Sequence, residues 1–221
     1  MNYNDMVTNI LLYTEEEDTG WVAGVDDYIT MAEKSISRQT QSPANLTSVD
    51  LVMTTASADT AASTQINSID SVRVMKTSET ATGPVTLMKR RDPSFIYARY
   101  SLASETGRPL HYALSSKASA SGQFEVLVGP TPDVSYTLKL LYYGDFSGLV
   151  AAGTTNETWL SQIAPDAILF GALYYGYIAL KGEPNLIGTY KDKFSYEVEA
   201  LKHLAEHDLS NDMSGSGAKR I

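Results

Sequence analysis

His203 and His207 stand four residues apart, the spacing at which two imidazoles on one helical face could share a metal with Glu199 or Asp208 as a third ligand. The Glu-first order of a zinc protease is missing, and the outer face of a terminal helix would leave such a metal in solvent. A solvated helical face is the better reading. His111 lies beside Tyr112 in a strand-like run and reads as a partly buried, hydrogen-bonded histidine rather than a general base. Glu15, Glu16, Glu17 and Asp18 are adjacent, so they lack the alternating ligands and closing Glu of a calcium loop. Gly215-Ser216-Gly217 neither follows a strand nor opens a helix, and so fails as a phosphate cradle. No cysteine is present, which removes thiol nucleophiles, disulfides and sulfur-ligated metals together. Asn45 and Asn156 head Asn-x-Ser/Thr triplets that matter only in a secreted chain. The chemistry therefore predicts no catalytic residue, no cofactor, no metal and no enzyme.

Fourteen tyrosines remain to be placed. Tyr142-Tyr143 and Tyr174-Tyr175 with Tyr177 could stack on bases or sugars, but no basic residues interleave with them. Subunit contacts are the reading favoured by rings with an apolar body and a polar tip. The 221 residues carry 26 Asp and Glu against 17 Lys and Arg, a net charge of −9 that argues against a general DNA-backbone binder. Met1 leads into Asn2, Tyr3, Asn4 and Asp5 rather than a signal peptide. The longest apolar run, Ile168–Leu180, is too short to span a bilayer. A soluble, intracellular protein without membrane contact is expected.

The elements that position these residues read as helices, then strands, then helices. Residues 1–40 carry two apolar stripes, Tyr3, Met6, Val7, Ile10 and Leu11, then Val22, Val25, Ile29, Ala32 and Ile36. Residues 41–70 are dense in Ser and Thr and read as an extended loop. Residues 71–150 are β-rich, with alternation clearest at Tyr136, Leu138, Leu140 and Tyr142. Gly129–Asp133 would join that run to Phe124–Val128 as a hairpin, and Arg99–Ser104 reads as a short helix. Residues 155–207 return to helix: an all-round apolar segment after Pro165, then a stripe of Ile187, Tyr190, Phe194, Val198, Leu201 and Ala205. Lys193–Glu197 and Lys202–Glu206 have the spacing of helical ion pairs. Residues 208–221 read as an extended C-terminal tail. The predicted class is α+β, with both helical ends packed as one bundle around an inserted antiparallel β region.

Four stretches in this order resemble the head-to-tail adaptor proteins of tailed phages, the group that includes tail tubular protein A of short-tailed phages. They are Ala32-Glu33-Lys34-Ser35-Ile36-Ser37-Arg38, Gly107-Arg108-Pro109, Val128–Asp133 leading into Tyr136–Tyr143, and Thr158-Trp159-Leu160 with Ala164–Leu173. The resemblance covers about Tyr28 to Ala205 and leaves 41–70 unassigned.

It implies a structural virion protein at the head–tail interface, made in the host cytoplasm. Such a protein forms a homo-oligomeric ring of twelve copies between the portal protein and the tail or nozzle proteins. Double-stranded DNA would pass through the lumen without specific binding. An acidic wall would repel the phosphates, which makes Glu15, Glu16, Glu17 and Asp18 candidates to face the lumen. The C-terminus would reach the portal, with Met213, Lys219, Arg220 and Ile221 docking there, Ile221 as apolar anchor and the basic pair against acidic groups. The net charge predicts that copies repel one another at low salt and associate as salt rises. The competing reading is a β-sandwich ligand- or glycan-binding module of a virion protein, using the Tyr-rich hairpin.

Overall fold

The two amphipathic stretches at the start of the chain form α1 (Tyr3–Thr14) and α2 (Thr19–Gln39). A single 3-10 turn over Pro43–Asn45 leads into β1 (Leu46–Met53), β2 (Asp59–Ala62), β3 (Ser68–Lys76), β4 (Thr86–Leu87) and β5 (Lys89–Arg90). Next come α3 (Pro93–Arg99), β6 (Thr106–Gly107), β7 (His111–Ser116), β8 (Phe124–Gly129), β9 (Thr131–Pro132) and β10 (Tyr136–Tyr143). The last elements are α4 (Leu149–Ala152), α5 (Trp159–Ile163), α6 (Pro165–Ala179) and α7 (Pro184–Gly215). This computed structural model describes residues 1–14, 19–55, 59–62, 66–79, 83–102, 104–116 and 124–215. The elements divide into a helical unit, Met1–Asn45 with Asp145–Ile221, and a β unit, Leu46–Gly144. The α+β class and the β insertion between two helical ends follow the expectation from sequence.

In the helical unit α6 is the central element. Ala167, Ile168, Leu169, Gly171, Ala172, Leu173 and Gly176 are buried, as an all-round apolar segment requires. Trp21, Val25, Tyr28, Ile29 and Ile36 of α2, Met6 and Ile10 of α1, and Tyr190, Phe194, Val198 and Leu201 of α7 share its core. Trp21 takes the place that Val22 was expected to fill; Val22 is exposed. Two glycines let the helices approach. A Cβ on Gly171 would stand 2.7 Å from the Ala32 Cβ, and one on Gly176 would stand 2.2 Å from the Trp21 ring. Tyr3 fastens α1 to α2 by donating to an Asp26 carboxylate oxygen. That bond, then burial and the Asp26 charge, push the Tyr3 phenol up to about 12.

The β unit holds two four-stranded sheets, ordered β1-β10-β3-β4 and β2-β8-β7-β5, and a small parallel pair of β6 with β9. Leu51, Val72, Val74, Leu138 and Leu140 from one sheet and Tyr112, Val126 and Val128 from the other share one core. First and last strands are neighbours, β1 running antiparallel to β10 from Leu46↔Tyr143 to Met53↔Tyr136. The unit thus begins and ends at one place.

Residues 41–70 are not one loop, since β1, β2 and the start of β3 lie within them. Thr and Val suit strands, and a burial alternation that reaches only Leu51 and Met53 was diluted by Ser and Asp. The β insertion therefore starts at Leu46, not at 71. Phe124–Val128 and Tyr136–Tyr142 form no hairpin: β8 pairs with β7 and β2, while β10 pairs with β1 and β3. The Gly129–Asp133 connection crosses from one sheet to the other, an outcome that local turn chemistry does not distinguish from a hairpin. The short helix lies at Pro93–Arg99 rather than Arg99–Ser104, because the Asp92 carboxylate accepts from the Ser94 N–H at 2.8 Å and Pro93 occupies the first turn. Helix α7 runs past His207 to Gly215. No proline or glycine interrupts 189–214, so an established helix propagates through polar residues.

Candidate functional site

In the helical unit, the Ala-Glu-x-x-Ile-x-Arg stretch of α2 places Glu33 and Ser37 one turn apart on a buried face. Glu33 accepts from the Leu149 backbone N–H at 2.9 Å. Ser37 accepts from the Phe146 N–H at 3.1 Å and donates to the Glu33 carbonyl at 2.9 Å. The two side chains thus clasp 145–149, where the chain rejoins the helical unit after the β insertion. A cleft of about 340 Å³ opens beside them, lined by Thr30, Lys34, Asp145 and Val150 among others. Burial pushes the Glu33 carboxyl up to about 7, against the pull of the Leu149 N–H. The carboxylate and the Ser37 hydroxyl together hold the backbone N–H groups of Leu149 and Phe146. Sequence reading singled out this motif by resemblance alone and did not foresee that its Glu would be buried.

In the β unit a second constellation surrounds His111. The Tyr100 hydroxyl and His111 Nδ1 share a hydrogen bond of 2.9 Å, and the Phe95 ring meets the imidazole edge-on at 5.5 Å. Tyr100 reaches this position by lying over Gly129, where a Cβ would stand 2.2 Å from its ring. Arg91 sits 5.4 Å over Phe95, and Arg99 sits 5.5 Å over Tyr100. Burial first, then the charges of Arg91, Lys89 and Arg99, hold the His111 imidazole below its ordinary value. The imidazole thus sits among three cationic side chains that disfavour its protonation. Arg108 of the Gly-Arg-Pro turn instead works internally, donating to the carbonyls of Val74 at 3.1 Å and Pro84 at 2.5 Å.

Glu15, Glu16, Glu17 and Asp18 lie outside the described residues, as do Lys219, Arg220 and Ile221; Met213 is carried on the last turn of α7. His203 is flanked by Glu199 and Glu206, each at 3.8 Å, on an exposed face. Among the described residues no group of three His, Cys, Asp or Glu could hold a metal, and no helix is long and apolar enough to cross a membrane. Asn45 is buried, accepting from Ser42 and donating to the Thr40 carbonyl, where a glycan would not fit.

The tyrosine clusters are drawn wholly or partly into the packing of their own units. Tyr142 and Tyr143 are both buried, because the register shift between Leu141 and Tyr142 breaks the two-residue alternation. Tyr174 and Tyr175 pack on Phe194, and Tyr177 on Trp21 and Tyr190. With no hairpin and no exposed tyrosine pair in it, the β-sandwich glycan module loses the surface on which it rested. The anticipated Lys193–Glu197 pair is also replaced, since Lys193 Nζ lies 4.8 Å over the Phe170 ring.

A protein-family model described as SU10 adaptor protein matches residues 1–220. No curated protein matches the chain.

Proposed function

The chain belongs to the SU10 adaptor protein family and is a phage adaptor protein, and on that premise we propose that it forms a ring joining portal to tail. The observation that carries this reading is a family match over essentially the whole chain. A fold in which one chain builds two units, each with its own core, suits a part that meets different neighbours. The ring would hold twelve copies at the head–tail interface of a virion assembled in the host cytoplasm, bound by portal on one side and tail or nozzle proteins on the other. Packaged double-stranded DNA would pass through its lumen, and the protein would catalyse nothing and carry no cofactor.

Two sets of residues have roles in this reading. Glu15, Glu16, Glu17 and Asp18 would face the lumen and repel phosphate. Met213, Lys219, Arg220 and Ile221 would dock onto the portal. Imaging purified virions and chain–portal mixtures tests the assembly; a chain located in the fibres or the capsid shell would sink the reading. Truncation after Gly215 removes Lys219, Arg220 and Ile221 but leaves α7 whole. It should keep the thermal midpoint within a degree or two (about 0.5 kcal/mol) while weakening capture by portal-bearing heads. Unchanged capture would remove the docking role alone.

A further inference from the structure

The net charge conceals a division between the two units. The helical unit carries eighteen Asp and Glu against eight Lys and Arg, whereas the β unit carries eight against nine. On the β unit the positive charge is concentrated where β5 leads into α3. Lys89, Arg90, Arg91 and Arg99 are all exposed, and among the described residues none has a carboxylate within 4 Å. The one carboxylate in that stretch, Asp92, is occupied by the Ser94 N–H and hydroxyl. Apolar surface accompanies the cations: Phe95 is 38% exposed and Tyr97 63%. Exposed arginines beside exposed aromatic rings have the composition of a protein interface, and Arg90 and Arg91 also line a cleft of about 490 Å³ with Asp92, Pro93 and Leu114.

The chain supplies a complement. Along α7, Asp192, Tyr196, Glu199, His203 and Glu206 recur at steps of three and four and so share one face. All are exposed, and Tyr196 at 73% is the most exposed large apolar side chain among the described residues. We propose that the β5–α3 patch of one copy docks on the acidic α7 face of a second copy. Patch and stripe are unlike surfaces of one chain, so the contact is head-to-tail and repeats from copy to copy, as closure into a ring requires. This rests on the ring reading and specifies what joins its subunits. It also reverses the salt dependence drawn from net charge: the joined surfaces have opposite sign, so association weakens as ionic strength rises.

The test uses the full chain in two charge-reversed forms, one R90E/R91E/R99E and the other D192K/E199K/E206K, with circular dichroism confirming the fold of each. Sedimentation should show each form associating about tenfold or more weakly than the natural chain. An equimolar mixture of the two should regain association, since each reversed surface then meets its complement. As a second measurement needing no variant, carbodiimide coupling of mixed unlabelled and ¹⁵N-labelled chain should link Lys89 of one copy to a carboxylate of α7 in another. If both forms assemble as the natural chain does, or association of the natural chain strengthens with salt, the docking is wrong while the ring reading stands. If the natural chain yields no intermolecular link at any concentration, both fail. Normal assembly of the arginine-reversed form together with lost retention of a labelled DNA duplex would overturn the proposal in favour of a nucleic-acid patch.

Discussion

Glu33 takes its consequence from burial. A carboxyl whose folded pKa is raised to about 7 binds more protons in the folded than in the unfolded chain between the ordinary Glu value and 7. Stability from this group is therefore complete below about pH 4.5 and is lost as pH rises through 7. Gln keeps an oxygen to accept the Leu149 N–H without the charge. Glu33→Gln should remove this group's share of the fall in thermal stability between pH 5 and 8 and raise stability at pH 8 by about 3 kcal/mol, at roughly 1.4 kcal/mol per unit. Melting curves across that range check it; a parallel fall in both proteins would refute the assignment. Arg108 gives a second residue-scale test. Its guanidinium serves two carbonyls, and Arg108→Met would strand the part-buried one of Val74 while leaving that of Pro84 to water. A loss of about 1–3 kcal/mol is expected in denaturant unfolding of the β unit.

At the scale of elements, the approach of α2 to α6 depends on what α6 lacks. Ala favours a helix over Gly by about 1 kcal/mol, so Gly176→Ala would stabilise an exposed helix. Here the new methyl would stand 2.2 Å from a Trp21 ring that is itself buried and held edge-on by Tyr28 and Tyr177. Overpacking should win, with a net loss of about 1–3 kcal/mol read from the thermal midpoint. The α3 cap is a milder case. Asp92→Ala removes the oxygen that holds the Ser94 N–H and should cost about 1 kcal/mol. It would also loosen the aromatic group around His111, visible as a shift of the histidine ring resonances.

For the whole molecule the governing fact is that β1 and β10 are partners. Leu46 and Tyr143 stand opposite each other, a separation of about 5 Å in an antiparallel pair. Replacing 47–143 by a short Gly-Ser linker should therefore leave the helical unit able to close its own core. A helical circular dichroism spectrum with a cooperative melt checks this, and a molten or aggregated product would show that the core of α1, α2, α6 and α7 needs the β unit.

Periodicity carried much of this architecture. The stripes of α2 and α7, the all-round apolar α6 and the alternation in β10 are local patterns, legible because a helix or strand buries residues at a fixed spacing. The Ser/Thr-rich first strands were not legible, since what makes them strands is a partner ninety residues away rather than their own apolar content. Asp92-Pro93 is a helix start legible in the sequence, yet the helix expected at Arg99–Ser104 lies too late in the chain. Residue identity also determined that sulfur chemistry is absent and that acid exceeds base. Only the tertiary structure decided what those residues do. It buried Glu33, Tyr142 and Tyr143, packed Tyr174, Tyr175 and Tyr177 against the helical core, and gathered Lys89, Arg91 and Arg99 around one histidine. Burial and charge fields depend on which elements pack together, and no spacing along the chain encodes that.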